Sequence, residues 1–271
     1  MAAHQDYLIT DTAIKKEHLP TAEKILGLDA TVASVAHLWA NGNYFHWLLN
    51  VLPRICMLKQ YSKFDQVEIF LVNSCSSKYE IDSLSTLLVN KIALINNSWW
   101  RCKRIIATSP MTDDAVINPY GCELLKHYFN TDWLRGMEKA PFPKKLAIAR
   151  RSGRNIINHG EIYRILEDNG FTKLYCEDFS FADQVEIFKN AEYIVAPHGA
   201  GLANIVFCKP ATKILEILSP RYLNNCFRKI SSYCNLDYRN IIGEGNVCLI
   251  GDRDANILVN SEILKLALSM S

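Results

Sequence analysis

Pro197-His198-Gly199-Ala200-Gly201-Leu202-Ala203-Asn204 is the stretch on which the reading of this chain turns. It follows the apolar run Tyr193-Ile194-Val195-Ala196, which reads as a buried strand. It leads into Leu202-Ala203-Asn204-Ile205-Val206-Phe207, which reads as the first turns of a helix. A strand, a few small residues and a helix start present free backbone N–H groups and the positive end of a helix dipole to an anion. Gly199 and Gly201 have no Cβ, so a phosphate can approach the main chain closely. His198 adds a donor whose charge is adjustable near neutral pH. Taken alone, the segment reads equally well as a glycine-eased turn holding a satisfied histidine.

Outward from this segment, short β-rich runs alternate with amphipathic helical ones, the pattern of α/β architecture with parallel sheets. In the first half, strands are predicted at 32–38, 67–72 and 103–107. Helices are predicted at 44–61, 81–89 and 120–133, with Pro53 expected to kink or split the first. The second half predicts strands at 145–149, 172–175, 193–196 and 213–218. Helices follow at 160–168, at 181–190 behind a Ser180 cap, from Gly201, at 223–233 and at 262–268. Lys139-Ala140-Pro141-Phe142-Pro143 interrupts the alternation, because two prolines flanking one residue favour an extended linker. The expected organisation is an acceptor-side domain over 1–138 and a ligand-binding domain over 139–271, with a cleft between them. The terminal helix is free in this reading to pack back on the first domain.

The 271 residues suffice for one large or two medium cores. A hydrophobic share of 49% and a charged share of 21% are ordinary for a globular protein. The formal net charge of +2, without long runs of like charge, argues against a nucleic-acid binder. No apolar stretch approaches the roughly 18 residues of a membrane span. Met1-Ala2-Ala3-His4-Gln5-Asp6 lacks the apolar core of a signal peptide. The 9 cysteines are irregularly spaced and form no C-x-x-C pair, which points to buried free thiols in a reducing compartment and not to zinc. A cytoplasmic, enzyme-sized chain is expected.

Three further constellations carry possible chemistry. His46 and Asn50 lie four apart on one helical face amid aromatic and aliphatic neighbours, and Arg54 continues the row. Such a polar stripe is costly unless each member has a partner or a task, and a buried hydrogen-bonded row is the plain alternative. Arg150-Arg151-Ser152-Gly153-Arg154-Asn155 follows a strand, where doubly wound folds place ligands, and guanidinium forks suit phosphate oxygens. A solvated basic loop is the plain alternative there. Glu216 sits inside the apolar strand Ile214-Leu215-Glu216-Ile217-Leu218, where ribose hydroxyls would be natural partners and a salt bridge is the alternative. Together these read as a site for a nucleotide diphosphate, with His46 facing it across the cleft.

In this order the residues resemble glycosyltransferase family 61. The resemblance rests on Asn43-x-x-His46-Trp47-Leu48-Leu49-x-x-Leu52-Pro53-Arg54, the Arg150-Arg151 loop, Phe181-x-x-Gln184-Val185, the segment from Pro197 to Asn204, and Glu216. It implies a GT-B-like fold of two Rossmann-like domains facing each other across a cleft. It also implies an inverting, metal-independent transferase with no cofactor, using a UDP-sugar, with xylose favoured and N-acetylglucosamine next. The partners would be that donor and a glycan acceptor hydroxyl, and the compact chain is similar to microbial or viral members. The implied donor-binding residues are Arg150, Arg151, Arg154, Asn155, Pro197, Gly199, Ala200, Gly201, Asn204 and Glu216. Asn43, Trp47 and Arg54 would lie on the acceptor side, with Trp99 and Trp100 either stacking on sugar or packing inside. The family often carries a carboxylate where this chain has Asn50. An amide takes no proton, so His46 is expected to be the base, Asn50 its orienter and His198 a stabiliser of the leaving diphosphate.

Other readings compete. Asp252-Arg253-Asp254 has the spacing of a metal-binding motif but also the composition of a turn. Gly199-x-Gly201-x-x-Asn204 half resembles a dinucleotide fingerprint, which would suggest a nicotinamide-dependent oxidoreductase, but it comes too late in the chain. Binding of a nucleotide sugar or glycan without turnover is the non-enzymatic alternative.

Overall fold

The computed structural model describes residues 25–37, 39–73, 75–95, 99–109, 112–113, 116–129, 142–245 and 252–270. The first sheet contains β1 (Ile25–Ser34), β2 (Ile69–Val72), β3 (Ile92–Leu94) and β4 (Trp99–Ala107) in the order β3-β2-β1-β4, every pair parallel. β5 (Thr112–Asp113) and β6 (Val116–Ile117) form a separate antiparallel pair. The second sheet contains β7 (Lys145–Ile148), β8 (Thr172–Leu174), β9 (Tyr193–Pro197), β10 (Lys213–Leu218) and β11 (Asp237–Ile242). Its order is β11-β10-β9-β7-β8, again all parallel. Parallel neighbours require crossover connections, and helices supply most of them.

α1 (Tyr44–His46) runs through a π-helical turn (Trp47–Val51) into α2 (Leu52–Gln60). α3 (Lys78–Thr86) and α4 (Pro119–Phe129) complete the first half. α5 (His159–Asp168), α6 (Phe181–Asn190), a 3-10 helix (Ala200–Phe207), α7 (Cys226–Tyr233) and α8 (Ser261–Ser269) belong to the second.

Alternation along the second sheet sorts its side chains onto two faces. Leu146, Ile148, Ile194, Ala196 and Ile214 enter one buried cluster, together with Ala33, Phe70 and Val72 of the first sheet and Leu48, Leu52 and Ile55 of the long helix. Ala147, Val195, Leu215 and Ile217 enter another, closed by Ile162 and Leu166 of α5 and Leu264 of α8. The inner faces of the two sheets therefore meet through a shared helical layer. The terminal helix packs beside α5 and β11 and does not return to the first sheet, because Leu264 belongs to the outer cluster.

The expected α/β class with parallel sheets is what the structure has. Pro53 does not split its helix. It stands at the start of α2, and the turn before it widens so that Leu52 N–H reaches the Trp47 carbonyl five residues back. This extra residue accommodates a ring that cannot donate and that crowds the preceding turn. The segment from Gly201 is a 3-10 helix. Of the proline-rich connection, only residues 142–143 fall among those described, and residues 130–133 of the third predicted helix lie outside them. Trp99 and Trp100 lie on β4, with side chains outside the described set.

One buried polar network crosses the helical layer. The Tyr44 hydroxyl donates to Asn204 Oδ1 at 2.5 Å, and Asn204 Nδ2 donates to Gln184 Oε1 at 2.9 Å and the Gly201 carbonyl at 3.1 Å. Asn204 is 0% exposed and thus a tie between the halves, not a group offered to a donor. Asn204→Ala should strip Tyr44 and Gln184 of their partner and lower unfolding stability by about 2–3 kcal/mol, read from the urea midpoint at unchanged slope. An unshifted midpoint would show that the network contributes nothing.

Candidate active site

The second-half wall is built by the continuation of β9. His198 N–H donates to the Ile217 carbonyl at 2.9 Å, which carries the ladder one step past the strand. Its ring meets Tyr222 edge-on at 5.2 Å and leans on Phe227 at 4.9 Å. His198 Nδ1 is hydrogen-bonded to Glu216 Oε1, and the Tyr238 hydroxyl donates to Glu216 Oε2 at 2.5 Å. Glu216 is 0% exposed. A buried carboxylate is tolerable only with such donors. Both of its oxygens have protein partners, so the ribose contact expected of Glu216 is replaced by His198 and Tyr238.

The first-half wall starts at Asn43, whose side chain caps α1 by accepting from Phe45 N–H at 3.1 Å. His46 stacks on His37 at 5.2 Å and meets Trp39 and Phe45 edge-on at 5.6 and 5.1 Å. Burial, and then the neighbouring His37, lower its pKa to about 4, so the ring is neutral at pH 7. Its Nδ1 lies 3.3 Å from the Asn50 amide. Two residues expected on the acceptor side point inward instead. Trp47 is buried and donates Nε1–H to Ser83 Oγ at 3.0 Å, and Arg54 donates to the Ala36 carbonyl at 2.7 Å. The apolar packing of the π turn claims the first, and a part-buried carbonyl just past the end of β1 claims the second.

The arginine loop separates its members by backbone geometry. Gly153 and Arg154 are both left-handed (φ 56° and 52°), which folds the loop sharply. Arg150 bends back to donate to the Gly153 carbonyl at 2.7 Å and the Ser152 carbonyl at 3.1 Å. Arg151 turns outward and grips Asp178 through 2.5 and 2.8 Å contacts at the surface, so it does not serve the cleft. Arg154 turns inward, donating to the His198 carbonyl at 2.8 Å and also to the Arg253 carbonyl, with Asp254 at 3.4 Å. Asn155 holds the loop through its main chain, its N–H donating to Asn256 Oδ1 at 3.0 Å and its carbonyl accepting from Ile257 N–H at 2.8 Å, while its own Oδ1 is buried without a partner among the described residues. Pro197 is buried in the sheet and stands behind His198.

A cleft of about 590 Å³ brings the two walls together. Asn43, His46, Arg154, His198, Gly199 and Ala200 line it, as expected from the sequence. Asn50 supports His46 from behind. Trp39, Phe45, Tyr222, Asn224, Phe227, Arg253 and Asp254 also line the cleft and were not foreseen as site residues. Their only sequence signal was the Asp252-Arg253-Asp254 motif. It forms a turn, with Asp252 Oδ1 accepting Asp254 N–H at 3.0 Å. Among the described residues no group of three or more His, Cys, Asp or Glu side chains is placed to hold a metal ion.

A family model described as Glycosyltransferase 61 matches residues 44–215, from the start of α1 into β10. The beta-1,2-xylosyltransferase RCN11 of Oryza sativa subsp. japonica is 29% identical over 119 residues, covering 40% of this chain and 22% of the relative. A beta-1,2-xylosyltransferase of Arabidopsis thaliana is 39% identical over 59 residues, covering 22% of this chain and 11% of the relative. The chain spans less than a quarter of the length of these relatives.

Gly199 is extended and unstrained, and what requires glycine there is contact. A Cβ would lie 1.7 Å from Arg150 Nη1. Gly199→Ala should displace the Arg150 guanidinium that packs behind the cleft-lining Gly199 while the fold persists, since a flexible tip yields more easily than backbone. UDP binding measured by titration calorimetry should weaken about tenfold at unchanged melting temperature. Unaltered binding would show that the contact between Gly199 and Arg150 does not serve the anion site.

Proposed function

This chain belongs to the glycosyltransferase 61 family, and we propose that it moves a sugar from a nucleotide donor to a glycan hydroxyl with inversion. The observation that carries the proposal is the cleft itself, which sets neutral His46 on one wall opposite His198, Gly199, Ala200 and Arg154 on the other. In this reading residues 1–138 and 139–271 act as acceptor-side and donor-side units of a GT-B-type arrangement. UDP-xylose is the favoured donor, xylose being supported by the names of both relatives, and UDP-N-acetylglucosamine is the next.

The diphosphate sits against the start of the 3-10 helix, whose first N–H groups have no partner within the helix. Arg154 and Arg253 supply positive charge at the same end of the cleft, which is the basis for proposing metal-independent transfer. In the reaction His46 Nε2 takes the acceptor hydroxyl proton as the acceptor oxygen bonds to the sugar C1. The bond from C1 to the phosphate oxygen breaks, and its electron pair leaves with the diphosphate. His198 stabilises that growing charge. Asn50 Nδ2 faces His46 Nδ1 at 3.3 Å, and in this reading the amide rotates by half a turn so that Oδ1 accepts from Nδ1–H and the lone pair is left on Nε2.

His46→Ala should abolish transfer from UDP-xylose while UDP binding persists. Loss of binding instead would move His46 out of the base role. The depressed pKa fixes the pH dependence. The ring stays neutral until pH approaches about 4, so the acid limb of the kcat profile should lie there and not near 6.5. Because the unfolded chain binds the proton more readily, His46 contributes stability that is present above about pH 6.5 and lost as pH falls toward 4. A pH-rate profile with its acid limb near 6.5 would count against the assignment. Activity should also survive excess chelator, and its loss there, with recovery on adding a divalent cation, would overturn metal independence.

A further inference from the structure

The group that holds His198 lies behind the cleft. Glu216 comes from β10 and Tyr238 from β11, neighbouring parallel strands in which Tyr238 pairs with Ile214 and Glu216 with Asn240. This register puts both side chains on the face that carries Ala196 and the end of β9. Glu216 joins no other side chain in a hydrogen bond among the described residues. One carboxylate oxygen meets His198 Nδ1 and the other accepts the Tyr238 hydroxyl. We infer that Tyr238 and Glu216 are positioning residues that fix His198 with its proton on Nδ1 and its Nε2 toward the cleft.

Several observations support this relay. The imidazole is confined by Tyr222 and Phe227, so its remaining freedom is the choice of tautomer and a ring flip, and the carboxylate removes both. Burial first, and the Glu216 charge next, push the Tyr238 phenol up, so its proton stays available to the carboxylate at any working pH. The carboxylate supports the ring protonated on both nitrogens, in which Nδ1–H is held by Glu216 and Nε2–H is the donor to the leaving phosphate oxygen, the arrangement by which a carboxylate supports a catalytic imidazolium elsewhere. Tyr238 also lines a second recess of about 440 Å³ with Asn224, Asn240 and Arg228, and Asn224 lines the main cleft as well. The relay thus stands in the partition between two cavities, away from every group that touches the donor except His198.

The inference rests on the transferase reading only for its kinetic arm. Tyr238→Phe and Glu216→Gln keep volume and are the variants of choice. With UDP-xylose, Tyr238→Phe should lower kcat about tenfold and Glu216→Gln more, with KM and UDP affinity nearly unchanged, the size expected for a charge-assisted hydrogen bond acting in the transition state. The structural arm needs no turnover. Proton and nitrogen NMR of the full chain should show a strongly downfield His198 Nδ1–H signal that moves upfield in Tyr238→Phe and is lost or moved further in Glu216→Gln. A signal unaffected by both variants, or a KM rise with kcat intact, would overturn the relay. A relay-type NMR response in a chain that transfers no sugar would instead uphold the relay and count against the transferase reading.

Discussion

The hydrogen bond from Tyr44 to Asn204 joins the helix that carries His46 to the short helix that follows His198. Everything else at the site depends on that register. The two sheets present apolar inner faces to a shared helical layer, and apolar contact alone would tolerate sliding. A buried amide that must satisfy Tyr44, Gln184 and Gly201 together does not. Phe45 packing edge-on against Phe227 at 5.8 Å adds an aromatic contact beside this tie. The distance across the cleft is therefore set by one polar knot within an otherwise apolar layer.

Much of the second half could be read from the sequence because its punctuation is local. Ser180 accepts from Asp183 N–H at the start of α6, as its position predicted. Lys145–Ile148 and Lys213–Leu218 are apolar after their first lysine, with Glu216 the one interruption, which is the kind of run that parallel strands need. β11 escaped notice because Asp237-Tyr238-Arg239-Asn240 is polar, as an edge strand with only one neighbour can be. β3 is three residues long and half exposed at the opposite kind of edge. The π turn has no sequence mark beyond the proline that it accommodates.

A residue's place on the cleft was legible where it follows from its own strand or helix end, as for His46, His198 and Gly199. It was illegible where the role depends on what a distant segment does with it. Glu216 looked like a ribose ligand because a lone carboxylate in an apolar strand demands partners. The strand pairing that supplies Tyr238, and the turn that supplies His198, cannot be read from the residues beside it. Arg150, Arg151 and Arg154 looked interchangeable until two consecutive left-handed residues sent them in three directions.

The same loop shows why Asp252-Arg253-Asp254 belongs to the cleft without acting as a metal motif. Asn155 N–H donates to Asn256 Oδ1 and its carbonyl accepts from Ile257 N–H, so the segment that includes Asn256, 101 residues downstream, is drawn against the arginine loop. A Cβ on Gly153 would lie 2.9 Å from Asp254 Oδ1, so the glycine needed for the turn is also what lets that carboxylate come close. Asp254 then lies beside Arg154, and Asp252 is used to cap the turn. Asp252 is thus used in the turn that carries Arg253 and Asp254 pairs with Arg154, so the cleft presents there two guanidinium groups beside Tyr222 together with the Asp254 carboxylate.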